Sequence, residues 1–159
     1  IDMGDQMPQR YAVNRVMLCE SAVTELKVRL EKQYCRINVM VVGLDCRVRI
    51  RGDVMGIDMN DLTPLPGLFC VEQSPVIDIH SKSQHFVFDV PRQIDDSLML
   101  EMVVESSGLS PVYTYDLGKR LMESGVDWNK PSLDDVYVNI EYMDNKFVFE
   151  IQNWDKIEL

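Results

Sequence analysis

Three arginines at alternate positions are the feature of this sequence with the clearest chemistry. Arg47, Arg49 and Arg51 alternate with Val48 and Ile50, and alternation at period two places the guanidinium groups on one face of a strand and the aliphatic groups on the other. Guanidinium groups form paired, charge-assisted hydrogen bonds with phosphate and carboxylate groups. The strand therefore predicts a surface that binds an anionic phospholipid or a protein partner.

Further basic residues extend this predicted surface, because they lie in segments that we expect to form neighbouring strands. Residues 24–51 contain seven basic residues and three acidic ones. Each basic contact near an anionic membrane adds about 1 kcal/mol, so several must act together for measurable binding. The predicted binding surface consists of Lys27, Arg29, Arg36, Arg47, Arg49 and Arg51.

Ordinary cross-strand ion pairing is the competing interpretation of these arginines. Alternating charges are common on the exposed face of an antiparallel sheet. Glu25, Glu31 or the acidic C-terminal strands would then supply the carboxylates. The whole chain has a formal net charge of −10, which opposes phosphate-backbone binding. We therefore expect no nucleic acid among its partners.

Histidine and serine occur close together at one place, but their pattern is not typical of catalysis. His80 and His85 flank Ser81 and Ser83. Nucleophilic catalysis requires an exposed nucleophile, a base and an orienting acid, and the sequence has no Gly-x-Ser-x-Gly elbow. We interpret the segment as a polar hairpin loop. The sequence predicts a protein that is not an enzyme and needs no cofactor.

One acidic segment and four single cysteines are the remaining candidate metal ligands. Asp58, Asn60 and Asp61 resemble the start of a calcium loop, but the glycine and distal glutamate of an EF-hand are missing, so we interpret them as turn residues. The cysteines form no C-x-x-C pair, which favours buried free thiols over a zinc site, with two disulfides as the alternative. They are Cys19, Cys35, Cys46 and Cys70. We expect no bound metal.

The elements that would position these residues are mainly strands. Period-two alternation or short apolar runs predict strands over residues 35–42, 46–51, 68–71, 75–80, 85–90, 98–105, 135–142 and 146–152. The segment 98–105 is apolar on both faces and should lie centrally in a sheet. Met143, Asp144 and Asn145 form the predicted turn of the last hairpin.

Helical spacing appears at two places. Val16, Cys19 and Val23 fit one helical stripe and predict a helix over about residues 10–22. Residues 24–31 alternate instead, so we expect a strand there. Residues 115–124 are followed by Gly125 and predict a second short helix.

The length and the order of the predicted elements define the fold class. At 159 residues one hydrophobic core is enough, and too few helices alternate with the strands for a doubly wound fold. We predict a mainly β protein, an antiparallel β-sandwich of about eight strands with one or two short helices. Residues 1–22 would be an N-terminal extension and residues 23–159 a single domain. With no apolar membrane span or leader, we expect a cytoplasmic protein, peripheral at a membrane if the arginines bind lipid.

Several segments resemble C2 domains. Residues 75–80 and 85–91, with their Phe-x-Phe-x-Val strand, and then the Leu-x-Leu-x-Val-type strand in residues 94–104, are similar to the middle of that family. Residues 115–122 and 137–142 are similar to its later elements. The resemblance implies an eight-stranded sandwich whose end loops or basic strand contact phospholipid or protein. Glu105-Ser106-Ser107-Gly108 stands where calcium-dependent members carry paired aspartates, so a calcium-independent type is implied.

These observations lead to one functional hypothesis and one alternative. The hypothesis is a non-catalytic interaction module of a larger intracellular protein or assembly, whose basic strand face binds a protein partner or, second, an anionic phospholipid. The alternative is a structural, self-assembling protein, such as a capsid-like jelly roll or an oligomerising scaffold domain.

Overall fold

The computed structural model describes residues 11–13, 28–105 and 108–153. Within these ranges two β-sheets pack face to face, accompanied by a two-stranded pairing and one helix, α1 (Leu117–Glu123). The mainly β, sandwich-like fold class predicted from the sequence is confirmed. The strands are β1 (Tyr11–Ala12), β2 (Glu31–Lys32), β3 (Tyr34–Val42), β4 (Cys46–Ile57), β5 (Pro64–Gln73), β6 (Val76–Asp78), β7 (Ser83–Pro91), β8 (Met99–Val104), β9 (Val112–Tyr115), β10 (Val136–Met143) and β11 (Lys146–Asn153).

The first sheet has five strands in the order β11-β10-β3-β7-β6. Its central strand β3 pairs antiparallel with β7 from Tyr34↔Pro91 to Val42↔Ser83. On its other side β3 pairs parallel with β10. The last strand of the chain, β11, therefore lies at one edge of this sheet, and the three-residue β6 lies at the other.

The second sheet has four strands in the order β5-β4-β8-β9. Strand β8 lies between β4 and β9, which agrees with the prediction that its apolar segment is internal to a sheet. Its partner β4 is longer than predicted and extends to Ile57, with register shifts against β5 around Val54. Strands β5 and β9 are the edges of this sheet.

The core lies between the two sheets and is formed by alternate residues of their strands. A fully buried aliphatic or aromatic side chain stabilises a fold by roughly 1.5–3 kcal/mol relative to leaving it exposed. The largest completely buried apolar side chains of the described residues include Phe86, Phe88, Ile37, Ile50, Leu98, Leu100, Met102, Leu117, Leu121 and Ile140. Alternation in the sequence predicts most of these positions.

One strand begins earlier than its sequence suggests. The segment from Pro64 to Gly67 reads as a turn, yet β5 begins at Pro64 and pairs Pro66 with Val54. Proline has no backbone N–H to donate to a ladder, and it is tolerated in a sheet on an edge strand. Because β5 is an edge strand, the two prolines fit within it.

The N-terminal prediction is only partly covered by the described residues. Tyr11–Ala12, at the start of the predicted helix over residues 10–22, form strand β1 and pair with Glu31–Lys32. Residues 28–30, in the predicted strand over 24–31, are exposed and non-repetitive. The rest of both predictions lies outside the described residues, and the division into residues 1–22 and 23–159 stays a prediction.

The predicted short helix and last hairpin are both present. Helix α1 ends at Glu123, and Gly125 follows with φ +97°. Asp144 and Asn145 form the hairpin turn with φ of 50° and 60°, the left-handed conformation that these residue types tolerate. Across the described ranges, no helix has the length and apolar character needed to cross a membrane.

Candidate functional site

The arginine face predicted from the sequence lies on the outer side of the four-stranded sheet, where carboxylates neutralise it. Glu101 on β8 accepts hydrogen bonds from both Arg49 and Arg51, the latter at 2.7 Å. Arg47 lies 3.3 Å from Glu72 and 3.4 Å from Glu105, measured between nitrogen and oxygen. Three guanidinium groups thus face three carboxylates, and the face has no excess positive charge.

Cross-strand register explains this neutralisation. Arg49 is directly opposite Glu72 on β5 and Glu101 on β8, and opposite charges at facing positions attract. Hydrogen bonding to Glu101 raises the pKa of Arg49. The competing interpretation of cross-strand ion pairing matches this geometry, although the acids are Glu72, Glu101 and Glu105 rather than Glu25, Glu31 or the C-terminal strands.

The other predicted basic residues do not join this face. Arg36 lies on β3, in the opposite sheet, and donates to both oxygens of Asp89 at 2.8 and 3.0 Å. Arg29 is exposed in the segment before β2, and Lys27 lies outside the described residues. The described members of the predicted set are therefore divided between different parts of the molecule, and binding through them stays a prediction.

Serine and histidine of the β6–β7 turn form a hydrogen-bonded chain that is not arranged for nucleophilic catalysis. Ser81 Oγ lies 2.7 Å from Asp78 Oδ2 and 2.6 Å from Ser83 Oγ, and Ser83 Oγ lies 2.8 Å from His85 Nε2. Ser81 Oγ donates to Asp78, and this bond, with those from the backbone N–H groups of His80 and Ser81, lowers the pKa of Asp78. Ser81 then accepts from Ser83, and Ser83 accepts from His85. His85 acts as a donor here, and Ser83 is buried.

The acidic segment of the β4–β5 loop is used for turns. Asp58 Oδ1 accepts from the backbone N–H and side-chain amide of Asn60 at 2.8 and 2.9 Å. Asp61 Oδ1 accepts twice from Thr63, which lowers the pKa of Asp61. In the part of the chain that the structure describes, no three His, Cys, Asp or Glu side chains are grouped to hold a metal ion.

The described cysteines are free thiols, as predicted. Cys35 and Cys46 are buried and Cys70 is half-buried. Burial raises the pKa of Cys35 to about 12 and that of Cys46 to about 11. Since the thiolate is the reactive form of cysteine, these two residues are packing groups. Cys19 lies outside the described residues.

An incompletely packed surface lies along β11. Its inward residues Phe147, Phe149 and Ile151 are only half-buried. The ring of Phe149 stacks on Tyr115 of β9 with centroids 3.7 Å apart and an interplanar angle of 3°. The ring of Phe147 contacts Tyr113 with centroids 4.7 Å apart in a tilted arrangement, with an interplanar angle of 58°. These rings close one side of the sandwich at the edges of both sheets.

The backbone of β11 presents its free hydrogen-bonding groups on this same side. Met143 and Lys146 flank a two-residue turn and form a hydrogen-bonded pair, because both turn residues have positive φ. Alternation then directs the N–H groups of Lys146, Val148 and other even-numbered residues toward β10. The N–H groups of Phe147, Phe149 and Ile151 point away from β10, and no described strand pairs with them.

A groove lies next to this free edge. It has a volume of about 490 Å³ and is lined by Tyr115, Arg120, Glu123, Ser124, Phe149 and Ile151. Arg120 and Glu123 of α1 are ion-paired at 3.0 Å, so the charged wall is neutral. The groove therefore combines an aromatic floor with an adjacent row of unpaired backbone groups, and we define this combination as the β11 edge site.

Sequence reasoning identified the strand but missed the site. The alternation of Phe147, Phe149 and Ile151 predicts an inward-facing row. Whether that row is covered depends on the order of strands in the sheet, which the alternation does not specify.

Comparison with solved structures finds proteins of similar fold. No family model matches the sequence, and a search of curated proteins finds no match. The fimbrial anchor protein Mfa2 from Porphyromonas gingivalis has a similar structure, with a TM-score of 0.57 and 12% identity over 80% of this chain and 49% of that one. A protein from Bacteroides uniformis, provisionally described as a cell adhesion protein, gives 0.47 and 9% over 80% and 52%.

A third structure, from Bacteroides fragilis and described in the same way, gives a TM-score of 0.45 and 14% identity over 83% of this chain and 49% of that one. The chain thus spans about half the length of the solved structures it matches. At these identities the likeness concerns the fold alone.

Two predictions are corrected by these matches. The resemblance to C2 domains is wrong, because the structural neighbours are fimbrial anchor and cell adhesion proteins. The Phe86-x-Phe88 alternation on which it depended occurs in any sandwich with an inward aromatic row. The cytoplasmic location is also wrong, since proteins of those kinds are typically surface-exposed or extracellular.

Proposed function

We propose that this chain is a non-catalytic β-sandwich module of a cell-surface protein, and that it assembles with another protein by accepting an extended segment along β11. The segment would add a strand to the five-stranded sheet, as in the β-augmentation mode of peptide recognition. Alternate side chains of the added strand would enter the groove beside α1.

The proposal rests on two features that occur together at the β11 edge site, namely backbone groups without a partner and an apolar face that is only half-buried. Strand β11 is eight residues long, which is longer than the average strand, and its outward N–H groups have no backbone partner among the described residues. Its inward face is half-buried over an aromatic floor. An added strand would satisfy the backbone groups and cover the apolar ones together.

The chemistry of the groove indicates what the segment would contain. Its floor is aromatic and aliphatic, and its charged wall is already neutralised by the pair Arg120–Glu123. The whole molecule carries a net charge of −10. We therefore infer a segment in which apolar residues alternate with polar or basic ones, since the period of a strand is two.

The likeness in fold to a fimbrial anchor protein supports an assembly role. In that protein a similar sandwich occupies about half of the chain. An anchoring function requires contact with another protein, and the β11 edge site is the part of this chain best suited to such contact.

Proline substitution on the free edge tests the proposal. Ile151→Pro removes an outward N–H and leaves the ladder to β10 intact, whereas Ile151→Ala removes the same side-chain contacts and keeps the N–H. Displayed peptides of about ten random residues would be selected on the wild-type protein. We expect enriched peptides to lose at least about tenfold in affinity on Ile151→Pro, or 1.4 kcal/mol, and clearly less on Ile151→Ala.

Two results would overturn the proposal. One is enrichment of peptides that bind Ile151→Pro and the wild type equally, which would place their site elsewhere. The other is failure to enrich any peptide. Urea unfolding of both variants verifies that each is folded, so that a loss of binding is assigned to the edge.

Self-association is a second candidate function, and a separate observation favours it. At the opposite edge of the same sheet, Val76 and Ile77 of β6 are 73% and 63% exposed, and Ile79 beyond it is 82% exposed. Aliphatic residues on an unpaired edge strand favour pairing with another strand. We infer a second copy of this chain as the occupant of the β6 edge.

A further inference from the structure

A second cavity, lined by residues other than those of the β11 edge site, has the composition of a small-molecule site. Its volume is about 390 Å³, within the range of ligand pockets. The segment after β7 supplies Gln93 and Ile94, helix α1 supplies Met122, and the loop after the helix supplies Asp127 and Trp128. Ile94 and Met122 are mostly exposed at the rim, whereas Gln93 and Trp128 are 2% and 5% exposed.

Two of the buried lining residues carry polar atoms without a hydrogen-bond partner among the described residues. They are the Oε1 acceptor of Gln93 and the Nε1–H donor of Trp128. The amide of Gln93 is held in place because its Nε2 donates to the carbonyl of Pro91 at 2.8 Å. Buried polar groups in proteins are nearly always paired. An unpaired donor and an unpaired acceptor in one cavity therefore point to a ligand that offers both.

The charges around the cavity favour a neutral ligand. Arg92 donates to Gln33 Oε1 through Nε and Nη2, to the carbonyls of Trp128 and Lys130 through Nη1, and to that of Pro131 through Nη2. All its N–H groups are engaged, so none is left to hold an anion. Asp127 at the rim adds a negative charge that opposes anions further. A cationic ligand is also disfavoured, because Asp127 is the one carboxylate in the lining and the positive charge of Arg92 lies in the same lining.

From these observations we propose that this cavity binds a neutral, hydroxylated small molecule of the sugar class. A hydroxyl group both donates and accepts, so the hydroxyl groups of a sugar supply an acceptor for Trp128 Nε1–H and a donor for Gln93 Oε1. The C–H face of the ring then lies against Ile94 and Met122. Neither polar atom reaches the surface in the present conformation, and Met122, with its flexible thioether side chain, is the rim residue that turns to admit the ligand.

Nuclear magnetic resonance of the indole N–H groups tests this directly. The chain has two tryptophans, and a Trp154→Phe variant assigns the Trp128 signal. Glucose, galactose, mannose and N-acetylglucosamine would each be titrated into the protein, with glucose 6-phosphate as a charged comparison. We expect a saturable shift of the Trp128 signal with at least one neutral sugar. The phosphate ester should bind more weakly, because no guanidinium donor is available to it.

Matched variants separate binding from packing. Trp128→Phe keeps an aromatic side chain, although a smaller one, and removes the donor, and Gln93→Met keeps the length and removes the acceptor. Each substitution should lower the affinity for the sugar that binds the wild-type protein by about tenfold or more. Ser97→Ala is the control, since Ser97 also has an unpartnered buried polar atom but lines a different cavity. It should leave sugar binding unchanged.

Three outcomes would refute this inference. The first is that no sugar shifts the Trp128 signal in the folded wild-type protein. The second is a shift that is non-saturable or is equal in Trp128→Phe and Gln93→Met, as judged from neighbouring backbone signals. The third is a saturable shift with acetamide and with none of the sugars, which would assign the cavity to an amide ligand instead.

Discussion

Arg47, Arg49 and Arg51, which the sequence predicts to form a free basic surface, form ion pairs with glutamates in the folded chain. Their charge is therefore not free to attract an anionic ligand. Arg47 and Arg51 are half exposed at the side chain, but each lies beside a carboxylate. Exposed ion pairs of this kind contribute about 0–1 kcal/mol to stability. Their main consequence is electrostatic, because a balanced face does not attract an anionic surface.

We therefore expect the wild-type protein to show little sedimentation with phosphatidylserine vesicles at physiological salt. Glu72→Gln/Glu105→Gln leaves Arg47 uncompensated, and since each such charge adds about 1 kcal/mol, vesicle binding should rise about fivefold. Glu141→Gln/Glu150→Gln changes the net charge equally at exposed positions of the opposite sheet and is the control. Strong wild-type binding that Arg47→Gln/Arg51→Gln abolishes would instead support the arginine surface predicted from the sequence.

Two buried cysteine thiols and one buried tyrosine hydroxyl lead to a prediction about how the stability of the protein depends on pH. Burial raises the pKa of Cys35 from 9.0 to about 12, of Cys46 from 9.0 to about 11, and of Tyr34 from 10.0 to about 12. The unfolded chain therefore releases these protons at lower pH than the folded chain does. The stability linked to these groups is fully present below pH 9 and is lost as the pH rises through the folded pKa values.

Urea unfolding under reducing conditions measures this effect. Between about pH 9 and 12 the free energy of unfolding should fall with a slope of up to about 1.4 kcal/mol per pH unit for each group that ionises only in the unfolded chain. Cys35→Ala removes one such group, so its profile should be shallower than that of the wild type from pH 9 upward. Parallel profiles for the two proteins would contradict the assignment of this loss to Cys35.

At the scale of elements, local alternation predicted most strands but not their neighbours. Period-two patterns identify β3, β7 and the β10–β11 hairpin because inward residues such as Val39 and Phe88 must alternate with outward ones. The same patterns do not specify that β10 lies parallel to β3, since that pairing joins residues about 100 positions apart. The predicted strand over residues 68–71 lacks the first residues of β5, because the edge position that accommodates their prolines depends on that long-range order.

Long-range strand order also explains why the sequence predicted the arginine face but neither its neutralisation nor the β11 edge site. The alternating arginines of β4 predict a charged face, and that face exists. Its neutralisation by Glu101 requires β8 to lie beside β4 in one particular register. Likewise, the half-covered row of β11 and the unpaired atoms of Gln93 and Trp128 depend on which elements are absent above them. Sequence patterns indicate which side chains a strand presents on each face. Tertiary packing determines which polar atoms stay unpaired and which apolar side chains stay uncovered.

At the scale of the whole molecule, the sandwich has two unlike sides. On one side the edges β9 and β11 meet through two aromatic ring pairs, one stacked and one tilted. On the other, the chain passes directly from β5 in one sheet to β6 in the other through Ser74 and Pro75. The first side carries the β11 edge site and the second carries the exposed aliphatic residues around β6. Each of the two sides therefore has an edge strand with incompletely covered apolar residues.

Association through the β6 edge is tested by the dependence of mass on concentration. If Val76, Ile77 and Ile79 pair with a second copy, multi-angle light scattering should show a mass that rises above the 18.4 kDa of one chain as concentration increases. Ile77→Lys places a charge on the edge and should restore the monomer. Ile94→Lys is the matched control, because Ile94 has the same 63% exposure at a different site. A wild-type protein that stays monomeric, or an equal effect of both substitutions, would exclude the β6 edge and leave β11 as the single assembly surface proposed for this chain.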